Sequence, residues 1–506
     1  MSEDGRPLPL LTADEMRAWE RAAFEGLGIS ERVVMESAGR AAALAIAQSF
    51  PEGRVVGAIG RGNNGGDAVV ALRTLRAWGR DVCGVLVGGG TIEPAMAHGW
   101  DIPLAEDPAR AFHLAGVLVD GILGTGASGA PRAAAAEAVQ AMNASGRPIV
   151  ALDGPTGVDL DTGVVAGEAI RAQLTVTFGA LKRGLVLFPG RGLAGRILLA
   201  EVGFPPFTRG GWGAEVVTEA WARARLPAVP LDAHKGRVGI VAIVAGRKGV
   251  GGAAIMAAMG ALRAGCGGVR VISSEANRVP VQSAVPEAVF YDRDAPAAVE
   301  ALDGVAAVLI GPGIGTDDAA RELMRRIFEA FDGPCILDAD ALTLVARDGS
   351  LLDEKRAGKS LLTPHPGELG RLLGSPTAEV VRDRLGAAQT AAERFGTAVL
   401  AKGAPSVVAT RSDPVLVAVT GHSGVATGGM GDTLAGIAAA MLAGGACPRD
   451  AGGAALHFAG RAAEAGGRGR GLLPRDVAEA LPAVLRAELP TPVPPLGFLL
   501  ELAPAS

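Results

Sequence analysis

What most constrains this 506-residue chain is an alternation that runs through it twice. Short runs rich in Val, Ile and Leu end in polar, glycine-bearing turns, and most of these turns lead towards alanine-rich stretches with helical spacing. The first series places strands at residues 55–59, 82–87, 116–119, 149–152, 174–178 and 197–202. The second places them at 238–245, 269–272, 306–310, 335–338, 360–363, 398–401 and 407–409. Strands that alternate with helices pair in parallel through crossover connections, so each series predicts a sheet covered by helices on both faces. The expected fold class is α/β, with two doubly wound α/β domains. In such sheets ligands bind in the crevice outside the carboxyl ends of the strands.

Helical periodicity precedes the first series, at 13–27 with Thr12 as a cap and at 30–50. The rhythm breaks at 203–213, and 224–232, with Pro227 and Pro230, reads as a linker. The expected division is a domain over 1–215, a linker over 216–232, a second domain over 233–490 and a Pro-rich tail over 491–506. A hydrophobic content of 49% against 20% charged residues suits packed cores and excludes a disordered chain. The formal net charge of −5, without a long Lys/Arg run, gives no footprint for nucleic acid or an anionic membrane. The most apolar stretch, 433–448, is too short and too glycine-rich to span a bilayer. Cys83, Cys266, Cys335 and Cys447 form no CxxC pair, and the N-terminus has no apolar signal core. A reduced, cytoplasmic setting is expected, with a homo-oligomer as the expected assembly.

The most informative single motif is Thr427-Gly-Gly-Met-Gly-Asp-Thr-Leu-Ala-Gly436. Leu434, Ile437, Ala438, Met441 and Leu442 repeat at helical spacing, so a glycine turn opens directly into a helix. Gly428, Gly429 and Gly431 are expected to accept positive φ and let the backbone approach a ligand. Free N–H groups and the positive end of the helix dipole suit a phosphate. Asp432 beside such an anion hole could take the proton of a hydroxyl that attacks a phosphoryl group. Other polar turns of the second series point to the same crevice: Ala245–Ala253, Ile310–Gly315, Leu337–Leu342, Thr363–Glu368 with His365 between two prolines, and Ala401–Ser406 with Lys402.

In the first half, Gly60-Arg-Gly-Asn-Asn-Gly-Gly-Asp67 lies between a strand and a helix expected at 68–78. It contains GxGxxG, so a Rossmann dinucleotide site is one reading, but Val87 is followed by glycines where a ribose-binding acid belongs. Three more polar turns follow strands: Asp120–Gly129, Asp153–Asp159 and Thr177–Lys182. Asn64, Asp120 and Thr156 offer oxygens suited to a hard cation. Asp153 and Lys182 could supply acid–base chemistry.

On these residues two resemblances become specific. Residues 10–215 resemble the YjeF N-terminal family of NAD(P)H-hydrate epimerases, through Met35-Glu-Ser-Ala-Gly39, Gly62–Asp67, Asp120 with Gly124-Thr-Gly126, Asp153-Gly-Pro-Thr-Gly157, and Thr177-Phe-Gly with Lys182. The resemblance implies a Rossmann-like domain that binds substrate at Asn63, Asn64, Gly65, Gly66 and Asp67. It extends the substrate site to Gly124, Thr125, Gly126, Ala127, Ser128, Gly129, Ala130 and Asp153. It also implies K+ on Asn64, Asp120 and Thr156. The family usually has Asn at Ser37, Gly at Ala68, Ile or Val at Gly154 and Ser at Thr156.

Residues 225–490 resemble the ribokinase-like domain of ADP-dependent NAD(P)H-hydrate dehydratases, through the order HKG, GGA, GPGIG, LDADAL, TPHPGE, KG and TGGxGD. That resemblance implies substrate contacts at Ala253, Gly315, His365 and Asp432. It implies nucleotide contacts at Lys402, Gly403, Ala404, Pro405 and Ser406, with Gly428, Gly429 and Gly431 at the phosphates. ADP is the implied co-substrate and Mg²⁺ the implied cofactor. His422-Ser423 and Met430 depart from the family's common Asn-Pro and Thr. The implied activity is repair of hydrated NADH and NADPH by epimerisation and ADP-dependent dehydration, with Asp153, Lys182 and Asp432 as the catalytic residues. The competing expectation is a ribokinase-like kinase of a vitamin precursor or other small alcohol, fused to a non-catalytic nucleotide-binding module.

Overall fold

In the computed structural model the first alternation builds a seven-stranded sheet. Its spatial order is Phe498–Leu502, Arg196–Ala200, Leu174–Phe178, Ile149–Leu152, Val117–Gly121, Val55–Ile59, Val82–Leu86. All neighbours pair in parallel except Phe498–Leu502, which runs antiparallel to Arg196–Ala200. The chain starts at Val55–Ile59, steps outward to Val82–Leu86 and returns to Val117–Gly121 on the other side. The winding therefore reverses between Val55–Ile59 and Val117–Gly121, and the loops leaving those two strands meet there. Helices Glu31–Ser49 and Asn63–Ala77 cover one face of this sheet, and Ala134–Ala144 and Pro108–His113 cover the other. A short parallel pair, Leu8–Leu11 with Leu181–Lys182, brings the N-terminal helix Ala13–Arg21 to this unit. Thr12 and Glu15 form a capping box at its start.

The second unit repeats the plan. Its order is Ala288–Asp292, Gly268–Ser273, Ile240–Val244, Ala307–Ile310, Cys335–Leu337, Ser360–Leu362 and Ala398–Ala401, all parallel. Ser406–Ala409 and Val415–Ala418 extend it as antiparallel strands, and Ala214–Val216 pairs parallel with the last of these. Here the winding reverses between Ile240–Val244 and Ala307–Ile310. Helices Gly251–Arg263 and Met430–Ala443 pack closely because two glycines admit backbone. A Cβ on Gly436 would lie 2.1 Å from the Ala257 carbonyl oxygen, and one on Gly260 2.4 Å from that of Thr433.

The structure describes residues 5, 7–205, 212–229, 231–352, 354–467, 469–486 and 497–505. Two compact units emerge, one built on Leu8–Gly213 with the C-terminal strand, the other on Ala214–Thr491. Part of the expected linker is structured. Ala214–Val216 is a strand, Thr218 caps the helix Glu219–Arg223, and Trp221 is fully buried beneath Arg225. Pro230 of that segment and residues 491–496 of the expected tail lie outside the described residues. Phe498–Leu502, also read as tail, is a sheet strand because its apolar residues find an open edge at Arg196–Ala200. Among the described residues no helix is long and apolar enough to cross a membrane.

Candidate active sites

The N-terminal site forms at the reversal point. The helix expected from residue 68 begins at Asn63, so Asn63–Asp67 are its opening turns. Two glycines at 65 and 66 hide this start, since glycine disfavours helices, and packing overrides the preference. Gly65 is needed there, because a Cβ would lie 2.1 Å from the Gly60 carbonyl oxygen. A cavity of about 940 Å³ opens against this turn. Its wall includes Asn63, Asn64, Asp67, every residue from Gly124 to Ala130, Asp153 and Lys182. Gly65 and Gly66 support this wall without lining it. The N-terminal helix and the turn after it add Arg17, Glu20 and Phe24, which carried no motif.

Asp153 adopts φ +64°, a conformation that costs energy for any non-glycine residue and aims its carboxylate at the cavity. Its Oδ1 lies 2.5 Å from Lys182 Nζ. Its Oδ2 accepts the Thr125 N–H at 2.9 Å and the Thr125 hydroxyl. Lys182 is 1% exposed and also donates to Thr177 Oγ1 at 3.0 Å and the Phe178 carbonyl at 2.8 Å. Burial alone raises a carboxyl pKa, but the Lys182 charge and the donated hydrogen bonds outweigh it, holding Asp153 below its usual range. Asp67 faces the opposite balance. Burial raises it well above the carboxylate range, and Asp153 and Glu20 push further against the pull of Lys182.

Asp120 and Thr156 lie behind the cavity wall, both essentially buried. The Asp120 carboxylate accepts the Thr156 N–H at 2.8 Å and its hydroxyl at 2.7 Å. Asn64 Nδ2 donates to the Leu123 carbonyl at 2.9 Å, while Asn64 Oδ1 is buried without a partner among the described residues. Burial lifts Asp120 to about 6 despite the bonds from Thr156 and Ile122. An amide oxygen, a buried carboxylate and a hydroxyl are oxygen donors of the kind a hard cation takes. The family departures are absorbed locally. The Ala68 methyl faces Gly121, where a Cβ would lie 2.5 Å away, and Leu160 fills the space beside Gly154. Ser37 turns its hydroxyl to the Val33 carbonyl.

In the second unit a cavity of about 440 Å³ lies against the start of helix Met430–Ala443. Asp338, His365, Glu368, Lys402, Gly403, Gly429, Gly431 and Asp432 are in its wall. Of the three turn glycines only Gly429 has positive φ, +86°, so the expectation for Gly428 and Gly431 is corrected. Gly431 instead gives room, since a Cβ would sit 3.2 Å from Lys402 Nζ. Lys402 Nζ lies 2.8 Å from Asp338 Oδ1 and 3.9 Å from Glu368 Oε2. Thr363 Oγ1 also donates to Asp338 Oδ1, at 2.7 Å. Although burial opposes its charge, Asp338 and Glu368 hold the Lys402 pKa above its usual value. Asp432 is pushed up to about 7, first by burial and then by Asp338, Glu368 and Asp340, against Lys402.

His365 caps helix Pro366–Leu373, its Nδ1 accepting the Gly367 N–H at 3.0 Å and the Glu368 N–H at 3.3 Å. Nδ1 as acceptor leaves the proton on Nε2, which points to Glu368 Oε1 at 3.4 Å. Ala253 and Gly315 lie outside the lining of that cavity, after the two strands where the winding reverses. Asp340 accepts the Gly315 N–H at 2.9 Å and so connects that corner to the charge around Asp432. Ala404, Pro405 and Ser406 follow Gly403 away from the lining, with Ser406 Oγ closing the turn on the Gly403 N–H at 3.0 Å. Asp338 and Glu368 lay inside quoted motifs, but their pairing with Lys402 across the sheet had no sequence signal.

A family model described as NAD(P)H-hydrate dehydratase matches residues 241–483, and one described as YjeF-related protein N-terminus matches residues 31–184. A relative in Escherichia coli, named bifunctional NAD(P)H-hydrate repair enzyme Nnr, is 34% identical over 454 residues, 85% of this chain and 84% of its own. A relative of the same name in Coxiella burnetii is 36% identical over 480 residues, 92% of this chain and 96% of its own. The crystal structure of a ribokinase-like superfamily protein from Enterococcus faecalis is 24% identical, with a TM-score of 0.51 over 56% of this chain and 98% of its own. That likeness shows the fold of the second unit.

Proposed function

The chain belongs to the bifunctional NAD(P)H-hydrate repair enzymes, and from that premise we propose how its two sites divide the work. Hydrated NADH and NADPH carry water added across a nicotinamide double bond, which leaves a hydroxyl at C6. The N-terminal unit epimerises the R and S forms at that carbon, and the C-terminal unit dehydrates the S form with ADP, giving AMP and phosphate.

In the C-terminal unit Asp432 takes the proton of the C6 hydroxyl, whose oxygen attacks the terminal phosphoryl of ADP. Gly429, Gly431 and the helix N-terminus receive the phosphoryl oxygens, and Lys402 adds its charge. Lys402–Ser406 hold the nucleotide, while Ala253, Gly315 and His365 border the substrate. Phosphate then departs, pushed by the ring nitrogen, and loss of a proton from the neighbouring C5 to solvent restores the ring double bond. Phosphorylation turns a poor leaving group into a good one, which is why a kinase fold suits a dehydration. Mg²⁺ would ride on the phosphates of ADP, since it keeps several waters and takes few protein carboxylates. The observation that carries this reading is a carboxyl held near neutrality at a helix N-terminus, beside a partly buried lysine. A general base works best when its pKa lies close to the working pH.

In the N-terminal unit Asp153 and Lys182 handle protons at the larger cavity, whose glycine-rich walls at Asn63–Asp67 and Gly124–Ala130 embrace the substrate. Asn64, Asp120 and Thr156 would hold K+, the orphaned Asn64 Oδ1 supporting that fit. When bound, the ion supplies positive charge behind the cavity wall. The decisive experiment incubates hydrated NADH with ADP and follows recovery of NADH absorbance for wild type, Asp432→Asn and Asp153→Ala. No recovery by wild type sinks the repair reading. Equal consumption of both epimers by Asp153→Ala sinks the assignment of Asp153.

A further inference from the structure

Two carboxyls face the N-terminal cavity from opposite electrostatic situations, and only one is used above. Both oxygens of Asp153 are occupied, Oδ1 by Lys182 and Oδ2 by Thr125. Lys182 is committed in turn to Asp153, Thr177 and Phe178. Asp67, 8% exposed in the opening turns of helix Asn63–Ala77, lines the same cavity. Among the described residues none donates a hydrogen bond or a cation to its carboxyl. A buried carboxyl without a partner keeps its proton.

We propose that Asp67 is a second catalytic residue of the epimerase, the general acid that works with the Asp153 base. The proposal rests on the epimerase reading given above. Asp67 gives its proton to the C6 hydroxyl as the C6–O bond breaks, and the departing electron pair leaves with the oxygen as water. The N1 lone pair closes a double bond to C6, which makes that carbon planar. A water on the other face then adds to C6 while Asp153 takes its proton, and the electron pair returns to N1. The carbon is inverted, no electrons are exchanged, and one proton has moved from Asp67 to Asp153. In the reverse inversion the two carboxyls exchange roles. Burial of Asp67, with the Asp153 and Glu20 charges nearby, supports its protonated state, and separation of two carboxyls by environment is how acid and base roles are assigned. Glu20 also faces the cavity, but from the N-terminal helix.

The test uses the full chain and a single purified epimer, with inversion followed by chromatographic separation and no nucleotide present. Asp67→Asn is expected to lower kcat about 100-fold or more at little-changed KM. Asp67→Glu should recover part of that loss. In water labelled with heavy oxygen, wild type is expected to place one label on C6 for each inversion. Wild-type kcat in Asp67→Asn, or inversion by wild type without label, overturns the proposal. A wild type that inverts neither epimer faster than the uncatalysed reaction overturns the epimerase reading itself, which is a different result.

Discussion

Each half of the molecule sets a carboxylate and a lysine at the carboxyl ends of a parallel sheet, yet the two pairs are wired oppositely. In the N-terminal site Lys182 sits directly on Asp153 and holds it ionised. In the C-terminal site Lys402 is engaged by Asp338 and Glu368, and Asp432 is left among like charges, pushed up to about 7. The same two residue types thus give a carboxylate held ionised at rest in one place and a proton acceptor poised near neutrality in the other. Which carboxylate the lysine chooses decides the chemistry, because a charge contact and burial pull a carboxyl pKa in opposite directions.

The largest expected effect separates the two halves. Asp432→Asn should lower ADP-dependent dehydration about 10³-fold while leaving inversion of the hydrate unchanged. A dehydration rate within tenfold of wild type would remove Asp432 from its role. Next, Lys182→Met strands the partly buried Asp153 charge, which costs up to about 3 kcal/mol. It should lower the melting temperature of the N-terminal unit and abolish inversion, and an unchanged melt in calorimetry would break the comparison at its root.

The pH dependence sharpens it further. Dehydratase kcat/KM should rise about tenfold per pH unit below about 7 and then level. Lys402→Met, which removes the charge that opposes the upward shift, should move that rise to higher pH. Because the folded-state pKa of Asp432 is raised, its contribution to stability is present at low pH and lost as pH rises through about 7. Asp432→Asn should therefore melt at a higher temperature than wild type at alkaline pH, with the gap closing in acid. The smallest effect concerns backbone. Gly429→Ala, at φ +86° and with its Cβ 2.1 Å from Met256 Sδ, should cost about 1–2 kcal/mol. Gly428→Ala, in open space, should leave the thermal melt where it is.

Much of this is legible in the sequence. The strands at Val55–Ile59, Ile149–Leu152, Leu174–Phe178 and Ala398–Ala401 fall where alternating composition puts them. Their polar turns gather at one edge of each sheet because parallel winding leaves no other place for them. Less legible were elements whose stability comes from a partner far along the chain. Leu181–Lys182 and Ala214–Val216 are too short to show periodicity, and Phe498–Leu502 follows prolines that mark a tail. Glu20 gave no motif, because its place at the cavity depends on how the helix Ala13–Arg21 docks. Nor could any local pattern reveal that Lys402 pairs with Asp338 rather than with Asp432. Asp338, which also accepts the Thr363 hydroxyl, comes from a neighbouring part of the sheet far away in sequence.

The strand Phe498–Leu502 carries a consequence for the order in which the protein is made. It completes the edge of the sheet that begins at Val55–Ile59, but a ribosome delivers it only after every strand of the second unit has emerged. Until then the Arg196–Ala200 strand presents unpaired amides and carbonyls, the kind of edge that recruits foreign strands. The N-terminal unit is thus synthesised before the second unit but closed after it, and a nascent chain stalled before Phe498 leaves that edge open.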